Sequence, residues 1–291
     1  MLYESSNNQG IYSPREPRKN YYYRCVEENF EVLERVWDDR YQNTYGYWRT
    51  HILDVIYDYL DCGNLHLGFA RVKCEDCNKE YLLPFSCKRR AFCPSCHQRR
   101  VVEFGEFLYT EVLKEVSHRQ WVFSIPKRLR CYFMYDRKLL AKLSRCAWKV
   151  LCDYLKSSSG DKDSVPGVVI AVQTFGDFLN FNPHLHVIVT DGCFKGDGDF
   201  IKSVLPKGKD IEKVFQSEVL KMLKNEGKIN QFIIDNMLSW ENTGFNVYCG
   251  EAIYAEEQES IEKLAQYVVR APISQERMFY IPPEESSNEV G

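Results

Sequence analysis

The feature that most constrains the fold of this chain is the crowding of its cysteines. Six of the twelve cysteines fall within 35 consecutive positions, and the other six are spread singly through apolar surroundings. The crowded six are Cys62, Cys74, Cys77, Cys87, Cys93 and Cys96. A single free cysteine behaves as a small hydrophobic residue, whereas a cluster in a reducing compartment is typical of a metal site. The segment around residues 62–96 is therefore expected to fold around a metal.

Two CxxC pairs in this segment have the spacing of a structural zinc site. Cys74 and Cys77 form one pair, Cys93 and Cys96 form the other, and fifteen residues separate them. Two hairpins that each carry one pair would let four thiolates surround Zn²⁺ tetrahedrally. We therefore predict a four-cysteine structural zinc site from these residues. The alternative ligands are Cys87, His97 and, at a greater distance in sequence, Cys62.

Basic residues surround the second CxxC pair. Residues 71–100 contain eight Lys and Arg against three Asp and Glu, whereas residues 251–291 contain three against nine. The basic residues next to the second pair are Lys88, Arg89, Arg90, Arg99 and Arg100. Such residues on a zinc module typically contact DNA phosphates and position a protein without specifying a sequence. We predict a DNA-contact surface here, and an ordinary solvated charged face is the alternative.

The hydrophobic periodicity predicts an α+β protein with an antiparallel sheet. Helices are predicted at 21–42 and 47–61, and apolar alternation predicts strands at 119–126, 168–175, 184–194 and 244–253. Further helices are predicted at 101–116 and 136–157, within 209–240, and at 256–270. This order places a helical, zinc-binding part before a part built on the sheet.

We predict a domain boundary near residue 100. The proposed parts are a helical and zinc-binding DNA-contact domain at 1–100, a sheet domain at 101–283 and an acidic disordered tail at 284–291. The N-terminus lacks the apolar core of a signal peptide, and no apolar run approaches membrane-spanning length. A cytoplasmic protein is therefore expected.

Two histidines stand two residues apart at the head of the strand in "NPHLHVIVTDG". Strand side chains alternate between faces, so His184 and His186 share one face while Leu185 and Val187 occupy the other. Two imidazoles on one face can form half of a metal site. Histidines at a solvated strand end are the alternative.

A tyrosine on the last predicted helix is flanked by two cations. Apolar residues of this helix recur at helical spacing, and Tyr267 falls at the edge of the face that they form. Lys263 lies four residues before it and Arg270 three residues after it. Such cations can hold a phosphate that the tyrosine attacks. The alternative is an interfacial tyrosine without chemistry.

Four stretches resemble, in this order, the transposases of the IS ninety-one family: "FSCKRRAFCPSCHQRR", "RQWVFSIPKRLR", "NPHLHVIVTDGCF" and "LAQYVVRAPISQERM". These are rolling-circle (HUH) transposases with an N-terminal zinc-binding domain. The resemblance runs from about residue 20 to 283. It implies an HUH endonuclease-type antiparallel sheet with helices, preceded by a helical zinc-binding domain.

The resemblance also implies the roles of the site residues. His184 and His186 would hold a catalytic Mg²⁺ or Mn²⁺, and Tyr267 would attack single-stranded DNA to form a 5′-phosphotyrosine. A single catalytic tyrosine is implied, because Lys263 occupies the position where some members carry a second one. The candidates for the third metal ligand are Gln173, Asp177 and Gln266. Gln173 is preferred because a neighbouring strand can bring its side chain beside the histidines.

The function implied by the resemblance is DNA transposition by strand nicking and transfer, in the bacterial cytoplasm at the nucleoid. Two alternatives use the same residues differently. One is a truncated relative that binds DNA through its zinc domain without cutting it, since family members usually continue beyond the tyrosine helix. The other is a plasmid rolling-circle replication initiator with the same chemistry.

Overall fold

The computed structural model describes residues 18, 20–176, 180–204, 208–254, 257–269, 271–273 and 278–282. The chain groups into two compact units, Met1–Arg100 with Ile273–Gly291, and Val101–Pro272. The predicted tail at 284–291 lies outside the described residues. The predicted domain boundaries stay a prediction, because compactness does not show that each part folds alone.

The first unit is mostly helical. Its elements are α1 (Tyr21–Arg40), α2 (Gln42–Tyr45), α3 (His51–Leu60), β1 (Phe69–Lys73), β2 (Glu80–Pro84) and the start of α4 (Pro94–Phe107). Helix α1 begins after Asn20, whose side-chain oxygen accepts a hydrogen bond from the Tyr23 N–H at 2.7 Å. Strands β1 and β2 form an antiparallel hairpin in which Phe69 pairs with Pro84 and Lys73 with Glu80.

A small aromatic core joins these helices. The rings of Tyr22, Tyr59 and Phe92 lie 5.2 to 5.5 Å apart, centroid to centroid. The Tyr23 hydroxyl donates to the Leu60 carbonyl oxygen at 3.0 Å and so ties α1 to the end of α3. Cysteine side chains make up much of the remaining buried surface of this core. A core of this size needs additional support, which a bound metal can supply.

The second unit is built on a four-stranded sheet. The strands of this unit are β3 (His118–Ser124), β4 (Val168–Phe175), β5 (Phe181–Thr190), β6 (Gly192–Phe194), β7 (Phe200–Lys202) and β8 (Asn246–Ile253), of which β6 and β7 pair separately from the four-stranded sheet. Its helices, after α4 and a π-helical turn at Leu108–Val112, are α5 (Lys127–Tyr135), α6 (Lys138–Ser159), α7 (Gly208–Asn225), α8 (Gln231–Leu238) and α9 (Gln258–Val268). The sheet order is β4-β5-β3-β8 with every neighbouring pair antiparallel. The α+β prediction is therefore confirmed, and α5 is an addition that the sequence analysis did not predict.

The two faces of the sheet have different partners. Trp121, Phe123, Leu185 and Val187 point to one face, where they are fully buried against residues of α6 and α7. The opposite face carries His184 and His186, as strand alternation predicts. Helix α9 packs on this second face, where its residues Leu264 and Val268 join a buried cluster with Ile188 of β5. This packing brings α9 and the histidine pair to the same side of the sheet.

No helix within the described part of the chain is long and apolar enough to cross a membrane.

Candidate functional site

The histidine pair lies in the middle of the sheet, on β5. The rings of His184 and His186 face each other at 4.8 Å between centroids and 72° between planes. Strand β5 is flanked on both sides, so His184 pairs with Ser124 of β3 and with Gln173 of β4. His186 is 3% exposed. His184 is half-buried, so the pair runs from the interior of the sheet toward its surface.

The surroundings of His184 determine its tautomer and its charge. Its Nδ1 lies 2.8 Å from the carbonyl oxygen of Asn182. Because a carbonyl oxygen only accepts hydrogen bonds, Nδ1 carries the proton and Nε2 carries the lone pair. Burial lowers the pKa of His184, and the hydrogen bond to Asn182 opposes this only in part. The ring is therefore neutral at neutral pH, which is the form that coordinates a cation.

His186 has a neighbour that the sequence analysis missed. The side-chain amide of Gln120, on β3, lies 3.4 Å from His186 Nδ1. As placed, the amide nitrogen faces Nδ1 and donates to it, which leaves the ring proton on Nε2. The reversed amide would turn its oxygen toward Nδ1, accept a hydrogen bond from it and leave Nε2 free to coordinate a cation. Gln120 was detectable only as a polar residue in an apolar strand. The pairing of β3 with β5 brings it to the histidine.

Tyr267 lies beside the histidines. Its ring contacts the His186 ring edge-on, at 4.9 Å between centroids and 89° between planes. The buried residues Ile261, Leu264 and Val268 hold α9 on the sheet, while Tyr267 remains 44% exposed. A half-exposed phenol next to a histidine pair can reach both a metal-bound phosphate and solvent. The structure thus brings together the three residues that the sequence analysis linked only through resemblance.

Of the two cations predicted to flank Tyr267, the structure describes Lys263. Lys263 is exposed one helical turn before the tyrosine, on the same side of α9. Arg270 lies outside the described residues. The predicted phosphate contact by these two residues therefore stays a prediction.

Gln173, the preferred third metal ligand, holds the end of α9. Its buried side-chain nitrogen donates to the carbonyl oxygens of Tyr267 at 3.3 Å and of Val268 at 3.1 Å. The last carbonyls of a helix have no partner within the helix, so this amide satisfies two of them. The contact indicates a positioning role, and the ligand role stays a prediction. Of the other candidates, Asp177 and the side chain of Gln266 lie outside the described residues.

Four cysteine thiols converge in the first unit. Within the part of the chain that the structure describes, the group with metal-ligand geometry consists of Cys62, Cys87, Cys93 and Cys96, whose sulfur atoms all lie within 4.8 Å of one another. The contacts Cys62–Cys96, Cys87–Cys96 and Cys93–Cys62 measure 3.8, 3.6 and 3.7 Å. With zinc–sulfur bonds of about 2.3 Å, the edge of a zinc–thiolate tetrahedron is about 3.8 Å. The cluster therefore fits Zn²⁺.

This grouping corrects the predicted zinc set. Cys93 and Cys96 are joined by Cys62 and Cys87, whereas Cys74 and Cys77 are exposed in the turn between β1 and β2. The five-residue strands of this hairpin carry the turn roughly 16 Å from the hairpin base at about 3.3 Å per residue. The base lies near Cys62, because the Gly63 N–H donates to the Phe85 carbonyl oxygen at 3.1 Å.

The thiols of the cluster influence one another. Hydrogen bonds from Cys87 and Cys93 lower the pKa of Cys62 to about 7. Contacts with Cys62, Cys87 and Cys93 hold the pKa of the Cys96 thiol far below its usual range. Contacts within the cluster raise the pKa of the Cys87 and Cys93 thiols, so without an ion the four thiols share protons that zinc must displace to bind the thiolates. Cys93 precedes α4 and Cys96 lies in its first turn, so this pair is borne by a helix start and not by a hairpin as predicted.

The predicted DNA-contact residues lie at the surface of the first unit. Lys88, Arg89 and Arg90 precede α4, Arg99 and Arg100 lie on it, and all five are exposed. Arg89 forms an ion pair with Asp58 of α3 at 2.6 Å. A role of these residues toward DNA stays a prediction.

Both candidate sites lie in parts of the chain that match family models of transposases. A family model described as "Transposase zinc-binding domain" matches residues 32–125, and one described as "Putative transposase" matches residues 167–287. The first stretch contains the four converging cysteines. The second contains Gln173, the histidine pair and Tyr267. No solved structure is significantly similar to the chain.

Two curated relatives are transposases by name. The transposase for insertion sequence element IS801 of Pseudomonas savastanoi pv. phaseolicola is 30% identical over 141 residues, which are 48% of this chain and 33% of the relative. "Putative transposase y4qJ" of Sinorhizobium fredii (strain NBRC 101917 / NGR234) is 25% identical over 140 residues, 47% of this chain and 34% of the relative. The chain thus spans about a third of the length of the curated relatives that it matches. The zinc-binding and transposase models thus match successive parts of one chain, and over these parts the chain is similar to the IS ninety-one family of transposases.

Proposed function

We propose that this protein nicks and transfers single-stranded DNA through a covalent bond between Tyr267 and a 5′-phosphate. The observation that carries this proposal is the contact between Tyr267 and the histidine pair. The Tyr267 ring lies 4.9 Å from the His186 ring, which in turn lies 4.8 Å from the His184 ring. A nucleophile and two metal-ligand side chains are thereby gathered on one face of the sheet.

The histidines would hold the divalent cation, Mg²⁺ or Mn²⁺. His184 is neutral, and its Nδ1–H donates a hydrogen bond to the Asn182 carbonyl oxygen, so it would bind the cation through Nε2. His186 would bind in the same way when Gln120 accepts from its Nδ1. Such a cation supplies positive charge that polarises a phosphate. Gln173, which the sequence analysis preferred as the third ligand, would instead position the end of α9, because its side-chain nitrogen is hydrogen-bonded to the Tyr267 and Val268 carbonyl oxygens.

Tyr267 would carry the chemical step. Its oxygen forms a bond to phosphorus, the bond from phosphorus to the 3′ oxygen breaks, and that oxygen takes up a proton to leave a free 3′-OH. The phenol proton passes to solvent, which the half-exposed side chain contacts. The covalent phosphotyrosine keeps the bond energy for joining the strand to a new 3′-OH. Lys263, exposed one turn earlier on α9, would contact a phosphate of the same strand.

The exposed basic residues of the first unit would bind the DNA backbone. Lys88, Arg90 and Arg100 offer phosphate contacts that depend on charge and not on sequence. The role of zinc in this unit would be structural, since four cysteine ligands leave no open position for a substrate.

The test is formation of a covalent adduct. The full chain is incubated with Mn²⁺ and single-stranded oligonucleotides that tile the DNA on both sides of its coding sequence. We expect a band of increased mass in denaturing gels, and we expect Tyr267→Phe to abolish it. Tyr254→Phe is the matched control, because Tyr254 is also exposed and lies outside α9.

Other outcomes distinguish the alternatives. An adduct that survives Tyr267→Phe would identify another nucleophile. Binding of DNA without any adduct would instead support the non-catalytic DNA-binding protein. An adduct that forms only with the nicking strand of a plasmid origin would support the replication initiator.

A further inference from the structure

The exposed cysteine pair Cys74 and Cys77 is left over by the four-thiol cluster. Both residues lie in the turn between β1 and β2, and both are exposed. They keep the CxxC spacing that lets two thiolates bind one metal ion. This pair therefore needs an explanation separate from the zinc cluster.

Backbone hydrogen bonds close the turn that carries Cys74. The Cys74 N–H donates to the Lys79 carbonyl oxygen at 2.9 Å, and the Asn78 N–H donates to the Cys74 carbonyl oxygen at 3.0 Å. Asn78 adopts a left-handed conformation with φ of 56°. Hydrogen bonding from the Cys77 N–H, the Cys77 thiol and the Asp76 N–H lowers the pKa of the Cys74 thiol. Backbone N–H groups that converge on a sulfur stabilise the thiolate that a metal requires.

The pair supplies only half of a zinc site. Structural zinc takes four ligands, almost always cysteine and histidine. The described residues include every cysteine and histidine of the chain, and among them no third ligand group joins Cys74 and Cys77. The two remaining ligands must therefore come from another molecule.

We propose that Cys74 and Cys77 form half of a second zinc site, which the same pair of a second copy of this chain completes. Two thiolates from each copy make four, and a two-fold axis through the metal closes the site with no ligand position left over. Four thiol protons leave for solvent when the ion binds. Lys73 and Lys79 flank the pair and balance the charges of Glu75 and Asp76 between the two cysteines, so the turn adds no net charge to that of the ion and the four thiolates. The inference is independent of the DNA chemistry proposed for Tyr267.

The hairpin around the pair suits contact with a second copy. Apolar side chains are exposed along both strands and at the hairpin base, with Phe69 and Leu82 each 45% and Phe85 61% exposed. In addition, β1 and β2 form a sheet of two strands within the described part of the chain, so both are edge strands. A second hairpin brought close by the shared metal would cover this surface.

The experiment compares the molar mass and the zinc content of the full chain with those of the double variant Cys74→Ser/Cys77→Ser. Both proteins are purified from zinc-supplemented cells in the presence of a reductant that does not bind metal ions. The molar mass is then measured by light scattering and the zinc content by elemental analysis on the same fractions. We expect a dimer with about 1.5 zinc ions per chain for the parent and a monomer with about one for the variant. Cys131→Ser, at another exposed cysteine, should behave like the parent.

Three results would overturn the proposal. One is a monomeric parent with about one zinc ion per chain, and another is a monomeric parent with about two, which would mean that each chain closes its own second site. The third is a double variant that keeps the dimeric mass, because the dimer would then form through another surface. Far-UV circular dichroism of the double variant verifies that the secondary structure is retained, and its remaining zinc content of about one ion per chain shows that the four-thiol cluster is still occupied.

Discussion

At the scale of single residues, the histidine pair is prepared by the groups that contact its Nδ1 atoms. Asn182 fixes the tautomer of His184 with a backbone carbonyl, which no side-chain substitution removes. Gln120 contacts His186 through a side chain, which a substitution can remove. Partners of this kind orient metal ligands and raise their affinity. Gln120 therefore offers a test of the cation site that leaves both histidines in place.

Gln120→Ala should weaken binding of Mn²⁺ by about tenfold to a hundredfold, the usual effect of removing such a partner. The ring of His186 would lose the contact that sets its tautomer. Isothermal titration with Mn²⁺ measures the affinity directly. Gln231→Ala, at an exposed glutamine on α8, is the matched control. Equal affinities for the two variants would exclude an orienting role for Gln120.

Two buried histidines should make the stability of the protein depend on pH. Burial lowers the pKa of both His118 and His184 from 6.5. The unfolded chain then binds more protons than the folded one, so this stabilisation is present above about pH 6.5 and is lost as the pH falls through the lowered folded-state pKa. Urea unfolding should give a smaller free energy at pH 5 than at pH 7.

His118 provides the matched test of that dependence, because it is 3% exposed and is not one of the proposed metal ligands. His118→Gln removes one of the two titrating rings. The loss of unfolding free energy between pH 7 and pH 5 should be smaller for this variant than for the parent. A variant with the same loss would show that the pH dependence arises from other groups.

At the scale of elements, α9 is positioned by contacts of two kinds. Its apolar residues Leu264 and Val268 pack on the sheet, and Gln173 of β4 satisfies the last carbonyls of the helix. The first contact fixes the face that α9 presents, and the second fixes its end, where Tyr267 lies. The geometry of the nucleophile therefore depends on β4 as well as on α9 itself.

Gln173→Met should separate the two roles considered for this residue. Loss of hydrogen bonds to two buried carbonyls costs on the order of 1–3 kcal/mol, so we expect adduct formation by Tyr267 to fall by about tenfold or more. The affinity for Mn²⁺ should change much less. A loss of Mn²⁺ affinity as large as that caused by His184→Ala would make Gln173 a metal ligand, as the sequence analysis preferred.

At the scale of the whole molecule, the first unit depends on its thiol cluster more than the second unit depends on any single site. The second unit has a large apolar core on one face of its sheet, whereas the first has a few aromatic rings and the cysteines themselves. Binding of structural zinc contributes on the order of 10 kcal/mol to small metal-supported folds. The cluster should accordingly decide whether the first unit folds.

Cys87→Ser tests this dependence, because the spacing made Cys87 only an alternative ligand and the structure places it in the cluster. We expect the variant to lose about one zinc ion per chain and to become sensitive to protease within the first unit. Cleavage sites identified by mass spectrometry locate the change. Cys131→Ser should keep both its zinc and its protease resistance. Full zinc retention in Cys87→Ser would contradict the cluster.

Local periodicity explains what the sequence alone determined. Alternation placed His184 and His186 on one strand face, and helical spacing identified the buried face of α9, because both patterns follow from backbone geometry over a few residues. The same periodicity predicted the four strands of the main sheet. It did not predict α5, which begins directly after Pro126 at the end of a strand.

Only the tertiary structure decided which residues meet across long stretches of sequence. The length of the β1–β2 hairpin carries Cys74 and Cys77 away from the cluster, and Cys62 and Cys87 take their places. The pairing of β3 with β5 brings Gln120 to His186, and the packing of α9 brings Tyr267 to the same ring. CxxC spacing describes which cysteines are adjacent in the chain. Which thiols converge is set by the length and direction of the elements between them.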